Sequence, residues 1–259
     1  MSIAPDIRCL KGRLDRYVWE NSATEAVLLR KLLKEHFGQF EGVGIIGGLV
    51  RDFARGGRFA FKSDLDLVID GDPAHVAALA ERVGARANRF GGFGFTAGPW
   101  KIDFWALEYT WAATAGHVIV RELADVVRCT FFDWDAVMYD LVRKRVVCDK
   151  AYLERIRSRR LEISLRPNPG ELGNLLRAAR RIVRWGLQPG PVLTTFIKAH
   201  LDAAAFAEIK ETERRKYADR VLDEFEDPDH LRQFLLTTHL GSLAQPGQMA
   251  LPFDPHPQH

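Results

Sequence analysis

Two runs decide how this chain is read: Gly47–Gly56, GGLVRDFARG, and Ser63–Ile69, SDLDLVI. Asp64 and Asp66 stand at i and i+2 among Leu65, Leu67, Val68 and Ile69, a strand pattern that points both carboxylates to one side. Asp103, in Trp100–Leu107 (WKIDFWAL), is a third acid in the same setting, between Ile102 and Phe104-Trp105. An acid on an apolar strand is costly without a partner. Several brought together are costly unless a divalent cation neutralises them. A Gly-Gly pair opening a helix bares backbone N–H groups where phosphate binds well, and Arg51, one turn in, adds positive charge. Either run alone is weak, because most D-x-D pairs are solvated acids and most Gly-Gly pairs are turns. Their order and apolar flanks together point to metal-dependent phosphoryl chemistry on a nucleotide.

The rest of the chain is compatible with that chemistry. At 259 residues it has room for one large or two small domains. Net charge is only +3, too small to name a partner. From Leu141 to Arg184, however, 13 Lys/Arg face 4 Asp/Glu, whereas 223–229 is acidic. This basic segment predicts contact with triphosphate or RNA backbone. Cys9, Cys129 and Cys148 form no C-x-x-C, which argues against a zinc site or disulfide framework and fits a reducing cytoplasm. The N-terminus lacks the apolar core of a signal peptide, and no apolar run is long enough for a transmembrane helix, so no membrane partner is expected. His117, His200, His230 and His239 show no ligand spacing. Phe90, Phe93, Phe95, Trp100, Phe104 and Trp105 have strand spacing and read as core rather than as a base-stacking surface. Oligomeric state is not legible.

Asn21-Ser22 predicts a cap for a helix over 23–37. A buried strand follows over Gly42–Ile46, then the helix LVRDFAR closed by Gly56-Gly57. A second strand covers Leu65–Ile69 and a helix Pro73–Val83, with Pro at its first position. Phe93–Thr96 and Lys101–Leu107 pair as a hairpin, and Ala136–Leu141 and Arg145–Cys148 are mixed. From Glu171 the pattern is helical only. ELGNLLRAARRIVRWGL carries Leu175, Leu176, Ala179, Ile182 and Val183 on one side and Arg177, Arg180, Arg181 and Arg184 on the other. After Pro189-Gly190-Pro191 a long helix is expected from about Leu201 to Phe225, then a loose Pro- and Gln-rich end, AQPGQMALPFDPHPQH. The division is an α/β part, 1–150, and a helical part, 151–259.

GGLVRDFARG followed by SDLDLVI resembles the head-domain signature of bacterial poly(A) polymerases and CCA-adding tRNA nucleotidyltransferases, G-G-x-V-R-D-x-L-x-G then D-x-D-L, within the polymerase-β-like nucleotidyltransferase superfamily. ELGNLLRAARRIVRWGL is similar to that family's neck helix, and ETERRKYADRVLDEF to a later one; the likeness covers about residues 42–226. It implies an α+β fold, a mixed-sheet head with flanking helices followed by an all-helical neck and body. It places Gly47, Gly48, Arg51 and Asp52 in the nucleotide-holding turn, Asp64 and Asp66 on the metal ligands and Asp103 at the third carboxylate, and, by their place on the neck-like helix, makes Arg177 and Arg180 the best candidates in the basic segment for phosphate contact. Two Mg²⁺ ions (or Mn²⁺) are implied as cofactors.

The chain departs from the family at three places. The loop between the runs is longer, through GGRFAFKS. The segment that meets ribose and base, R-R-D-F-T-I-N-A-M-A-Y-D in the family, is CTFFDWDAVMYD here, with Asp135 where the family has Asn. A carboxylate accepts a ribose hydroxyl bond but cannot donate one, so nucleotide selection is expected to differ. The base-reading E-D-x-x-R falls near Glu171 and Asn174, which leaves the choice of CTP or ATP open. Little chain follows residue 226, which implies a shortened relative. The function implied is a nucleotidyltransferase moving an NMP from an NTP to an RNA, foremost a tRNA, 3′ end with release of pyrophosphate. The alternatives are the same chemistry on a protein or small-molecule hydroxyl, or a catalytically dead relative that binds nucleotide or RNA.

Overall fold

The computed structural model describes residues 2–61 and 64–237; His239, the Pro- and Gln-rich end and Lys62-Ser63 lie outside the described residues. Seven strands form one mixed sheet: β1 Gly42–Ile46, β2 Leu65–Asp70, β3 Arg86–Ala87, β4 Phe93–Ala97, β5 Trp100–Ala106, β6 Val137–Asp140 and β7 Arg145–Cys148. Their order is β3-β4-β5-β2-β1-β6-β7. Only β2 and β5 run parallel; the other neighbours are antiparallel. A parallel pair needs a crossover rather than a hairpin, and α4 (Pro73–Arg82) lies within the one joining β2 to β5.

Alternation along the strands sorts the sheet into two faces. Val43, Ile45, Leu65, Leu67, Ile69, Ile102, Phe104, Val137 and Tyr139 join the main core with α1 (Ile7–Asp15), α2 (Thr24–Leu32), α3 (Gly48–Gly56) and α4. Each such side chain, fully buried, contributes about 1.5–3 kcal/mol. Ile46, Val68 and Met138 occupy the other face, under Leu107 and the 3₁₀ turn Leu123–Cys129. This second apolar cluster covers only part of its face, which leaves room beside it for Asp66 and Asp103.

After α5 (Trp111–Thr114) and α6 (Tyr152–Arg157), a small parallel pair, β8 Arg160–Leu161 and β9 Gln188–Pro189, brackets α7 (Glu171–Trp185). Gly186, at φ 59°, ends α7 in the left-handed conformation that favours glycine. Then come α8 (Pro191–His200), α9 (Ala203–Lys216) and α10 (Pro228–Thr237). No described helix is long and apolar enough to cross a membrane, and the three cysteines are free.

Four local expectations are corrected. The Asn21 side chain accepts from Ala23 N at 3.0 Å, but Ala23 is the cap of α2 and no side chain caps it. The long helix over about 201–225 is broken: α9 ends at Lys216, Tyr217 is extended, and Val221–Glu224 is a 3₁₀ turn. The break lets Asp219 reach Arg180 and lets Leu222 N donate to Glu213 Oε2 at 2.9 Å. Arg180 and Arg181, read as part of the polar side of α7, are buried because carboxylates meet them. Among the aromatics read as core, Phe93, Phe95, Trp100 and Phe104 pack there, whereas Phe90 is solvent-facing.

Arg180 holds the helical part together: its guanidinium bonds Glu213 of α9 and, at 2.7 Å, Asp219, and lies over Tyr217. Glu213 is fully buried. Removing it takes away the fully buried partner of a buried cation and leaves Arg180 only the exposed Asp219 side chain and its carbonyl, so Glu213→Ala should lower unfolding free energy by about 3 kcal/mol, the lower end for a broken buried pair, read from the urea midpoint.

Candidate active site

The site is built on one cross-strand row of the sheet. Ile46 of β1 sits opposite Asp66 of β2, Asp66 opposite Asp103 of β5, and Asp103 opposite Gly94 of β4. Asp66 and Asp103 are therefore side by side on the same face. Gly94 makes this possible: a Cβ there would collide with Asp103 Oδ1. Burial, then the charges of Asp103 and Asp64, push the Asp66 carboxyl up to about 7. Burial also raises Asp103, against the opposing pull of Lys101. Asp64 lies just before β2, exposed, and accepts from Lys101 Nζ at 2.6 Å. That bond is the main cause of the upward shift of the Lys101 ammonium.

The start of α3 faces these carboxylates. Gly47 has φ 69° and ψ −112°, a conformation reserved for glycine, and lets β1 turn at once into the helix. Its N–H donates to Val137 O at 3.0 Å, and its carbonyl accepts the first helical bond from Arg51 N at 2.9 Å. The following N–H groups have no partner within their own helix, as at any helix start. Arg51 does not reach freely into solvent. It donates through Nε to Asp52 Oδ1 at 3.0 Å and through Nη1 to Asp135 Oδ1 at 2.6 Å.

From the opposite side α7 supplies Arg181, which donates to the same Asp135 Oδ1 at 3.1 Å and sits 2.8 Å from Oδ2 through Nη1. Burial works against the Asp135 carboxylate, but Arg181 and Arg51 outweigh it and hold its pKa well below the usual range. Burial brings Arg181 down to about 10 despite Asp135, while Asp135 and Asp52 overcome burial and push Arg51 up. The Trp185 ring takes the guanidiniums of Arg55 and Arg51 at 4.2 and 5.2 Å from its centroid. Arg177, one turn before Arg181, is exposed and donates to Asn174, whose Nδ2 donates to Asn168 Oδ1 at 2.7 Å.

These elements enclose a cleft of about 1550 Å³ lined by Gly47, Gly48, Arg51, Asp52, Asp64, Asp66, Asp103, Asp135, Arg177 and Arg180. All ten sequence-derived candidates thus meet in one place. Their present bonds differ. Asp66, Asp103 and Arg177 face the cleft, whereas buried ion pairs tie Arg51 and Asp135 to each other and to Asp52 and Arg181, and tie Arg180 to Glu213. Among the described residues no three His, Cys, Asp or Glu side chains converge as a metal cage, and Asp64 is bonded to Lys101 instead. The donor chemistry nonetheless suits a hard divalent cation: the carboxylates are all oxygen donors, and the adjacent Asp66 and Asp103 repel each other as they stand.

No protein-family model matches the chain, and no curated protein sequence matches it. Solved structures do. A Thermotoga maritima CCA-adding enzyme complexed with tRNA superposes with TM-score 0.53 at 18% identity, over 90% of this chain and 55% of that one. A CCA-adding enzyme with CTP gives 0.52 at 17% identity, over 90% and 56%. One with ATP gives 0.52 at 18%, over 85% and 53%. The fold is that of the CCA-adding enzymes. This chain spans little more than half the length of the CCA-adding enzymes it matches. At this low identity the likeness is one of backbone architecture alone: a mixed-sheet head followed by helices, as the family resemblance implied.

Sequence reasoning missed three residues of the site. Lys101 lay two positions from Asp103, on the same strand face, and that spacing could have revealed it. Gly94 looked like an ordinary strand glycine, and only the register shows what it faces. Arg181 was placed with the polar side of its helix because a buried partner 46 positions away leaves no local signal.

The upward shift of Asp66 sets a pH dependence. Between the ordinary 3.8 and about 7 the native state keeps a proton that the unfolded chain has released. The stability this contributes is present at low pH and is lost as pH rises through that window. In chelator-treated protein, Asp66→Asn should therefore gain Tm relative to wild type as pH goes from about 4 to 7 and level off above it, followed by thermal melts in matched buffers.

Proposed function

We propose that this protein is a nucleotidyltransferase that moves a nucleoside monophosphate from an NTP to a hydroxyl of an RNA acceptor, a tRNA 3′ end being the best fit. The observation that carries this reading is the pairing of Asp66 with Asp103 on adjacent parallel strands, facing the glycine-started helix α3 across one cleft. The cleft is large enough for a nucleoside triphosphate and a chain end together, and the CCA-adding enzymes of matching fold hold CTP, ATP and tRNA. Asp66 and Asp103, with Asp64 once released from Lys101, are the residues that would hold Mg²⁺. When bound, it neutralises the triphosphate and acidifies the attacking hydroxyl.

The chain's own groups divide the remaining work. The start of α3 at Gly48 cradles the phosphates, with charge and dipole both favourable. Arg177 adds positive charge from the neck side. Asp103 accepts the proton of the acceptor hydroxyl as its oxygen attacks the α-phosphorus; the bond from that phosphorus to the β-phosphate oxygen breaks and pyrophosphate leaves. Asp135 holds Arg51 and Arg181 together, so the segment expected to meet the ribose does so from a carboxylate already accepting from two arginines. Sugar and base selection in this protein then differ from those of enzymes with an amide there.

A second reading is supported by one observation, the Lys101 ammonium on Asp64. A protein that keeps this bond binds nucleotide or RNA without turnover. A pyrophosphate-release screen of the four NTPs with Mg²⁺ and total tRNA separates the two. Wild type should release pyrophosphate and label RNA, and Asp64→Ala/Asp66→Ala should do neither. NTP binding without release would establish the silent relative, and label in a protein or small-molecule fraction would reject RNA as acceptor. Gly94→Val, which drives a side chain into the place of the Asp103 carboxylate, should reduce turnover as far as Asp103→Ala does, about 100-fold or more, with Tm close to wild type for both.

A further inference from the structure

Beyond Asp103 the sheet edge carries a constellation that the transfer reaction above leaves unused. Directly paired residues share a face, and the row Asp66–Asp103–Gly94 continues to Arg86 on the edge strand β3. Arg86 therefore projects on the carboxylate face, two strands from Asp103, about 10 Å away at the usual strand spacing. With glycine between them, no side chain separates the two. Arg89 follows on the same edge with its guanidinium 4.7 Å from the centroid of the Phe90 ring. Both arginines are exposed, and neither pairs with a carboxylate among the described residues.

The aromatic surface beside them is held open by its loops. Phe90 is 42% exposed and Tyr109 46%. Asn88 Oδ1 accepts from Phe90 N at 2.9 Å and Gly92 N at 3.1 Å, so the loop that carries Phe90 is fixed. Tyr109 ends the 3₁₀ turn that follows β5. Together with Trp111 they wall a hollow of about 370 Å³, and the same three residues line the main cleft. Trp105 bridges the two regions: it lies two residues after Asp103 on the same strand face, with its indole N–H donating to Thr110 Oγ1 at 3.1 Å. The result is a track from Asp103 past Trp105 to Tyr109 and Phe90, flanked by unpaired arginines. Flat apolar rings beside free cations suit a chain of stacked bases joined by phosphates. A folded protein surface would leave the arginines without acidic partners unless it supplied them at this spacing.

We propose that this edge holds the last nucleotides of a single-stranded RNA acceptor. Phe90 and Tyr109 stack its unpaired bases, Arg86 and Arg89 take its phosphates, and its terminal hydroxyl is delivered to Asp103. The proposal rests on the nucleotidyl-transfer reading for the role of Asp103, but RNA binding at the edge is measured apart from turnover. The experiment uses the full chain without divalent cation and a 5′-labelled single-stranded RNA with 2-aminopurine as its penultimate base. Wild type should bind it and quench the 2-aminopurine, and should bind a blunt duplex of the same sequence more weakly. Phe90→Ala/Tyr109→Ala should weaken binding about tenfold or more and abolish the quench, while Phe90→Tyr/Tyr109→Phe retains both. Arg86→Ala/Arg89→Ala should lower the salt slope of binding by about 1–2. NTP affinity should be unchanged in every variant. Equal RNA affinity in wild type and the alanine pair, or no preference for the single strand, overturns the proposal. Loss of RNA binding in the alanine pair alongside absent turnover with all RNAs overturns the transfer reading and leaves the RNA edge standing.

Discussion

The buried junction of Arg51, Asp135 and Arg181 is the constraint on which the cleft depends. Arg51 comes from the helix that follows the first strand, Asp135 from the turn before β6, and Arg181 from the first long helix of the C-terminal part. With Asp52 added, two guanidiniums meet two carboxylates, so the charge inside the junction cancels. Burying four ions is expensive, and only mutual pairing offsets the lost hydration. The net gain in stability is small, but the gain in definition is large: the helical part has one seating on the sheet that leaves no buried charge alone. Trp185 seals this arrangement by lying against the guanidiniums of Arg51 and Arg55.

The carboxylates follow the opposite logic. Asp66 and Asp103 are adjacent carboxyls, and among the described residues no arginine forms an ion pair with either, Arg177 acting on Asp66 only from a distance. The fold accepts that cost here, whereas it pairs the buried charges of Arg51, Asp52, Asp135 and Arg181. Lys101 relieves part of it from the rim through Asp64. An unrelieved carboxylate pair facing a helix N-terminus is an arrangement that stability alone does not favour, and it gives the proposed chemistry its physical basis. The unpaired Arg86 and Arg89 at the edge of the same row extend the imbalance outward, with positive charge where a polyanion enters and negative charge where a cation would sit.

Much of the head was legible because its signals are local. Gly42–Ile46 is apolar and short, Gly47 requires a positive φ, and Pro73 starts a helix; each needs only neighbours in sequence to be read. The acids of the D-x-D run were legible because an apolar flank makes an ionised residue conspicuous. The helical part was less so. ETERRKYADRVLDEF has good helix formers throughout, yet the helix stops at Lys216, because Asp219 and Leu222 N bond more favourably with Arg180 and Glu213 than with another turn. Phe90 read as core for the converse reason: strand spacing cannot show that a loop, tied by Asn88, turns one ring of a series outward.

The amino-acid sequence by itself determined the chemistry available and its rough placement: three acids on apolar strands, a glycine-started helix and a basic neck. These depend on residue type and on spacing within single elements, which backbone geometry converts directly into shared faces. Tertiary structure alone decided which charges are spent and which remain free. Arg51, Arg180 and Arg181 look no different in sequence from Arg86, Arg89 and Arg177, yet the first three are neutralised in buried pairs and the others face solvent. Whether a charge is free depends on the distance to partners far away in the chain and on the water removed around both, and neither quantity exists until the sheet and the helices have packed.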